Sequence, residues 1–91
     1  MPEAAREVVL SNKYGLHARP ASRLVGTANR FQSAITIVNP AGRSVNAKSI
    51  MDVLTLAAGA GTALTIRAVG DDAEAAVSEL SQLIQERFGE E

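Results

Sequence analysis

The chain has 91 residues, ten acidic and nine basic side chains, a net charge of −1, 46% hydrophobic residues and no cysteine. That length makes one domain, 1–91, whose modest core cannot enclose a deep substrate cavity, so a surface site is expected, and neither a disulfide nor a thiolate metal site is possible. No apolar run approaches the roughly 18 residues of a membrane helix, and two glutamates within the first seven residues break the layout of a signal peptide, which predicts a soluble cytoplasmic protein.

Residues 6–11 read as a strand with Val8 and Leu10 on one face, and residues 12–15 as a loop. A helix is predicted over 18–29, with Ala21, Leu24, Val25 and Ala28 at helical spacing. Pro20 fits its first turn, where N–H groups have no intrahelical partner. Residues 33–38 alternate around Ile35 and Ile37 as a second strand, Asn39-Pro40-Ala41-Gly42 is a hairpin turn by composition, and 43–46 make a short third strand. Ser49 opens a second helix with Asp52 at the third helical position, as in a capping box. Its buried stripe is read as Ile50, Val53, Leu54 and Ala57, and Gly59 and Gly61 are expected to stop it.

Residues 62–69 alternate Leu64, Ile66 and Ala68 against Thr65 and Arg67, a fourth strand. Asp71-Asp72-Ala73-Glu74 is expected to cap a third helix with Val77, Leu80, Ile84 and Phe88 on one face and Gly89 as its C-cap. The order is β-α-β-β-α-β-α. The short turn makes strands two and three antiparallel. Three helices then cover one face of a four-stranded antiparallel sheet, an open-faced two-layer α+β sandwich.

The small net charge hides an asymmetry. From Val8 to Met51 there is no acidic residue, while Lys13, Arg19, Arg23, Arg30, Arg43 and Lys48 are basic. From Gly70 onward seven acids face Arg87 alone. A basic face that steers acidic partners is the functional reading. Nucleic acid is a poor candidate, because Tyr14 and Phe31 are the only aromatics in that stretch.

His17 is the only histidine and stands where the first helix begins, inside Gly15-Leu16-His17-Ala18-Arg19-Pro20-Ala21. A neutral imidazole is a nucleophile near pH 7. A phosphoryl group on it meets the free N–H donors and positive dipole end of a helix N-terminus, with the backbones of Ala18 and Arg19 nearest. The Arg19 guanidinium supplies a fork for phosphoryl oxygens. One histidine without cysteine or a nearby acid assembles neither a metal site nor a hydrolase triad. No cofactor is expected.

The run around His17, together with Asn46-Ala47-Lys48-Ser49-Ile50-Met51, resembles the two signatures of the HPr family, the histidine phosphocarriers of the bacterial phosphoenolpyruvate-dependent phosphotransferase system. The resemblance spans essentially the whole chain. It implies that His17 accepts phosphate on Nδ1 from phospho-enzyme I and passes it to an enzyme IIA domain, with Arg19 contacting the phosphate. It also implies a monomeric carrier rather than an enzyme, active in sugar uptake.

By the same resemblance Leu16, Ile50 and Met51 meet the partner, joined by Lys48; Arg23, one turn beyond Arg19, is a further docking candidate. In some members of that family an HPr kinase phosphorylates the serine matching Ser49. This chain departs from the usual pattern in carrying Asp52 where many members have glycine, which would crowd a phosphate on Ser49, and in one extra residue in the turn around Pro40. A carrier of the nitrogen-related regulatory branch, or a regulatory module operated through Ser49, remains an alternative reading.

Overall fold

The computed structural model describes residues 1–89. Its elements are β1 (Glu3–Val9), α1 (Ala18–Ala28), β2 (Ala34–Val38), β3 (Ser44–Asn46), α2 (Ile50–Leu54), β4 (Ala63–Val69) and α3 (Ala73–Gln85), followed by a 3-10 turn, Arg87–Gly89. The four strands form one antiparallel sheet in the order β1-β4-β2-β3. Period-two alternation decides which face is covered. Ile35 and Ile37 of β2 and Leu64, Ile66 and Ala68 of β4 are buried, and they join Leu24 and Ala28 of α1, Val53 of α2 and Val77, Leu80 and Ile84 of α3 in a single apolar cluster. The opposite face carries Glu7, Val9, Arg67 and Val69, all exposed. The expected open-faced sandwich is the observed one.

The Pro40 hairpin closes as its composition predicts. Gly42 adopts φ +90°, its N–H donates to the Asn39 carbonyl at 2.9 Å, and the Arg43 N–H donates to Asn39 Oδ1 at 2.9 Å.

Several boundaries differ from the sequence reading. The first strand runs over Glu3–Val9 rather than 6–11, because its pairing with β4 extends from Glu3 opposite Val69 to Val9 opposite Ala63. As an edge strand it needs little apolar patterning to hold that ladder. Ser33 and Arg43 fall outside their strands.

The second helix is the largest correction. It spans only Ile50–Leu54 and ends long before Gly59. Of the expected stripe only Val53 is fully buried. Ile50 and Ala57 are exposed, Leu54 is half-buried, and Leu56 and Ala58 are buried instead. The chain leaves the helix through Ala57 at φ +49°. Ser49 caps the helix as expected, accepting from the Asp52 N–H at 3.3 Å, but the Asp52 carboxylate returns to the Asn46 N–H at 3.4 Å, so only half of the capping box forms.

The third helix ends at Gln85 with Glu86 as its cap, so Gly89 is not the C-cap and Phe88 lies beyond the helical face. Asp72 precedes α3 without capping it through its side chain. Its carboxylate instead accepts from the Ser33 hydroxyl at 2.5 Å and from the N–H groups of Gln32 at 2.8 Å and Ser33 at 3.0 Å, pinning the loop between α1 and β2.

Those hydrogen bonds, the Ser33 hydroxyl first and the Gln32 N–H next, hold the Asp72 carboxyl below its ordinary pKa. A depressed native value means that the unfolded chain takes up the proton more readily. The stabilisation is therefore complete above the unfolded value and is lost as pH falls below about 4 toward the native one. Urea denaturation between about pH 6 and pH 2 is expected to show an acid-side loss of stability that Asp72→Asn lacks. Parallel curves for the two proteins would contradict this assignment.

Candidate functional site

The loop that carries His17 is built on glycine. Gly15 adopts φ +67°, and a Cβ there would lie 2.3 Å from the Ala58 carbonyl oxygen and 2.7 Å from Gly59 Cα. Only a residue without a side chain fits. The Leu16 N–H donates to the same Ala58 carbonyl at 2.8 Å. On its other side the loop is closed by Asn12, whose Nδ2 donates to the Gly15 carbonyl at 2.7 Å and whose own carbonyl accepts from the Gly15 N–H at 3.3 Å.

His17 emerges from this brace as the N-cap residue of α1, with extended backbone (φ −81°, ψ −172°) and its carbonyl accepting from the Ala21 N–H at 3.0 Å. Its side chain makes no capping hydrogen bond, and the residue is exposed. The Tyr14 ring stands edge-on to the imidazole, with centroids 6.1 Å apart and planes at 82°. Lys13 Nζ lies 5.3 Å from the Tyr14 centroid.

Ala18 and Arg19 are the first two helical residues, so their N–H groups point outward at the positive end of the α1 dipole. Pro20, buried in the same turn, has no N–H to leave unsatisfied. The Arg19 side chain is exposed and has no hydrogen bond or ion pair among the described residues. The assembly offers an exposed imidazole, outward N–H donors and a guanidinium, which together suit a tetrahedral dianion.

The remaining predicted residues are used in several ways. Leu16 is only 4% exposed and packs in the core, so its side chain is not displayed to a partner. Met51 is 68% exposed and Ile50 36%, so of the three apolar docking candidates these two are on show. Arg23 donates from Nη1 to the Phe88 carbonyl, and Lys48 donates from Nζ to the Phe31 carbonyl at 2.6 Å. Both are held to the main chain.

Arg30 is paired with Glu79 at 2.6 Å, so the acid-free stretch does not give an undivided positive surface. Ser49 is half-buried in its capping role. The Lys48 carbonyl accepts from Asn29 Nδ2 at 3.2 Å, which places the start of α2 beside the far end of α1. Ala58 then returns the chain to Leu16, whose N–H donates to its carbonyl.

Sequence reading missed Asn12 and the 57–59 segment as parts of this site. Asn12 in a turn ending at glycine, and Gly59 at a point of close approach, were the available signals.

An open sandwich that displays an imidazole at a helix N-terminus is the architecture of a carrier, which hands a group from one partner to another on its surface. The family model described as the PTS HPr component phosphorylation site matches residues 4–86. The chain is 47% identical over 85 residues to phosphocarrier protein HPr of Xylella fastidiosa strain 9a5c, covering 93% of this chain and 94% of that one. It is 45% identical over 86 residues to HPr of Treponema pallidum, covering 94% and 97%.

Among solved structures, HPr from Thermoanaerobacter tengcongensis superposes with a TM-score of 0.89 at 43% identity, covering 100% of this chain and 99% of that one. HPr from Bacillus anthracis gives 0.88 at 44% identity, covering 93% and 100%. The chain belongs to the HPr family of phosphocarrier proteins. Among the described residues no helix is long and apolar enough to cross a membrane.

Proposed function

We propose that His17 takes a phosphoryl group from phospho-enzyme I on Nδ1 and passes it to an enzyme IIA domain, as a monomer in the cytoplasm, in the service of sugar uptake. The observation that carries this reading is the exposed imidazole at the N-terminus of α1, with Arg19 exposed in the same first turn. In the first transfer a ring nitrogen lone pair of His17 attacks phosphorus. The phosphorus–nitrogen bond to the donor histidine breaks, and the donor ring leaves with that electron pair, neutral because its other nitrogen bears a proton. The ring proton left on phosphorylated His17 goes to water.

The N–H groups of Ala18 and Arg19 and the Arg19 fork then face the phosphoryl oxygens. Their task is to hold charge on the surface without burying it, because the second transfer needs the same group exposed. Arg23, Lys48, Ile50 and Met51 supply charge and adaptable apolar area along α1 for acidic partners. Ser49 fits a capping role better than a regulatory one, since the Asp52 carboxylate already stands at the start of α2.

Incubation with phosphoenolpyruvate and enzyme I is expected to place an acid-labile, base-stable label on the wild-type chain and none on His17→Ala. An acid-stable label on Ser49 in place of it would overturn the assignment.

A further inference from the structure

We propose that Asn12 is a positioning residue for His17, acting through the main chain of Gly15; the inference rests on His17 being the phosphoryl acceptor. Asn12 is 1% exposed, whereas Ser11, Lys13 and Tyr14 around it are exposed. A surface turn of this length closes adequately with solvated polar residues. Sinking an amide beneath it costs solvation, and the side-chain bond shown in return is the one from Nδ2 to Gly15.

What the buried amide adds is a fixed hold on Gly15. Nδ2 grips the Gly15 carbonyl at 2.7 Å, and the Asn12 carbonyl takes the Gly15 N–H at 3.3 Å. The Ala58 carbonyl sits 2.8 Å from the Leu16 nitrogen, on the side where a Cβ of Gly15 would strike it. The Gly15–Leu16 peptide is thus held from two sides, and His17 is the next residue. Ala57, at φ +49°, takes a conformation unfavourable for alanine, and Ala58 with its accepting carbonyl follows it directly. A nucleophile exposed on a convex surface has no pocket to orient it, so its direction must be set from behind. Transfer between two docked proteins is sensitive to that direction.

Two donors separate this role from a merely structural one. Phosphoramidate is a small reagent free to approach from any side: the imidazole lone pair attacks phosphorus, the bond from phosphorus to the reagent's protonated nitrogen breaks, neutral ammonia leaves with the pair, and the ring proton goes to water. Phospho-enzyme I presents its phosphoryl group in one docked geometry. Asn12→Ala and the near-isosteric Asn12→Asp, which lacks the N–H donor, are expected to react with phosphoramidate within about twofold of wild type and to accept from phospho-enzyme I roughly tenfold or more slowly.

Asp72→Asn, beyond the far end of α1, serves as the control for lost stability and is expected to match wild type with both donors. Wild-type transfer rates in a folded Asn12→Asp would overturn the proposal, as would an equal slowing with both donors or an equal slowing in the control. A wild-type chain that phosphoramidate labels on His17 but enzyme I does not would overturn the proposed donor. Absence of any label on His17 would remove the acceptor reading and this proposal with it.

Discussion

Alanine at position 15 is expected to lower the melting temperature by roughly 10–20 °C and to slow phosphoryl acceptance by about a hundredfold. Two penalties add. An L-residue at the φ of +67° found there costs about 1 kcal/mol. The new Cβ would lie 2.3 Å from the Ala58 carbonyl oxygen, which is backbone and cannot rotate away, so the two segments must separate. Overpacking of that kind costs about 1–3 kcal/mol.

Separation also breaks the 2.8 Å bond from the Leu16 N–H to Ala58 and so moves the residue that precedes His17. Gly26→Ala is the matched comparison. Gly26 lies within α1, nothing approaches its Cβ position within 4 Å, and its φ is ordinary. There alanine is expected to raise stability by about 1 kcal/mol through helix propensity. Thermal melts followed by circular dichroism, with label transfer measured on the folded proteins, read both effects. A Gly15→Ala protein that melts with wild type would refute the argument.

The contrast between these glycines shows what the sequence could and could not disclose. Gly15 stands out only as a member of the run ending at His17, and its contact with Ala58 is 43 residues away in the chain. The strands with one buried face were legible, since Ile35, Ile37, Leu64, Ile66 and Ala68 carry a period of two that burial confirms. So was the start of α1, because the signals for a helix N-terminus are local.

Three features were not legible. The beginning of β1, Glu3-Ala4-Ala5, is an edge segment whose order comes from pairing with Arg67, Ala68 and Val69. The second helix stops at Leu54 because the chain must turn back to deliver the Ala58 carbonyl to Leu16, a tertiary demand that overrides helical spacing at Ile50 and Ala57. Asp72 has the composition of a helix cap, yet the loop at Gln32 and Ser33 competes successfully for its carboxylate. At the site, the motif singled out His17 and Arg19 as candidates but did not reveal that Leu16 is core or that Arg23 and Lys48 are bound to carbonyls.

Phe88→Ala is expected to destabilise the fold by about 3–5 kcal/mol. Helical periodicity places this residue on α3, but it lies past the helix end, where Arg87 and Phe88 adopt φ of +57° and +58°. Neither residue is glycine, so this turn is unfavourable in itself. Burial must offset it: the Phe88 ring is fully buried, and Arg23 reaches from α1 to the Phe88 carbonyl. Removing the ring leaves a cavity and takes away the compensation for two left-handed residues at once.

Phe88→Leu, which largely fills the space, is expected to cost less than about 1.5 kcal/mol. Arg23→Ala, which leaves the ring seated, should cost about 1–2 kcal/mol. Urea titrations distinguish these cases through their midpoints, with slopes unchanged. Equal midpoints for Phe88→Ala and Arg23→Ala would mean that the hydrogen bond, not the ring, holds the terminal turn. Because Ala18, Arg19 and the Asn12 brace lie outside this turn, folded Phe88→Ala is expected to accept phosphoryl groups at the wild-type rate, which separates what keeps the sandwich closed from what aims His17.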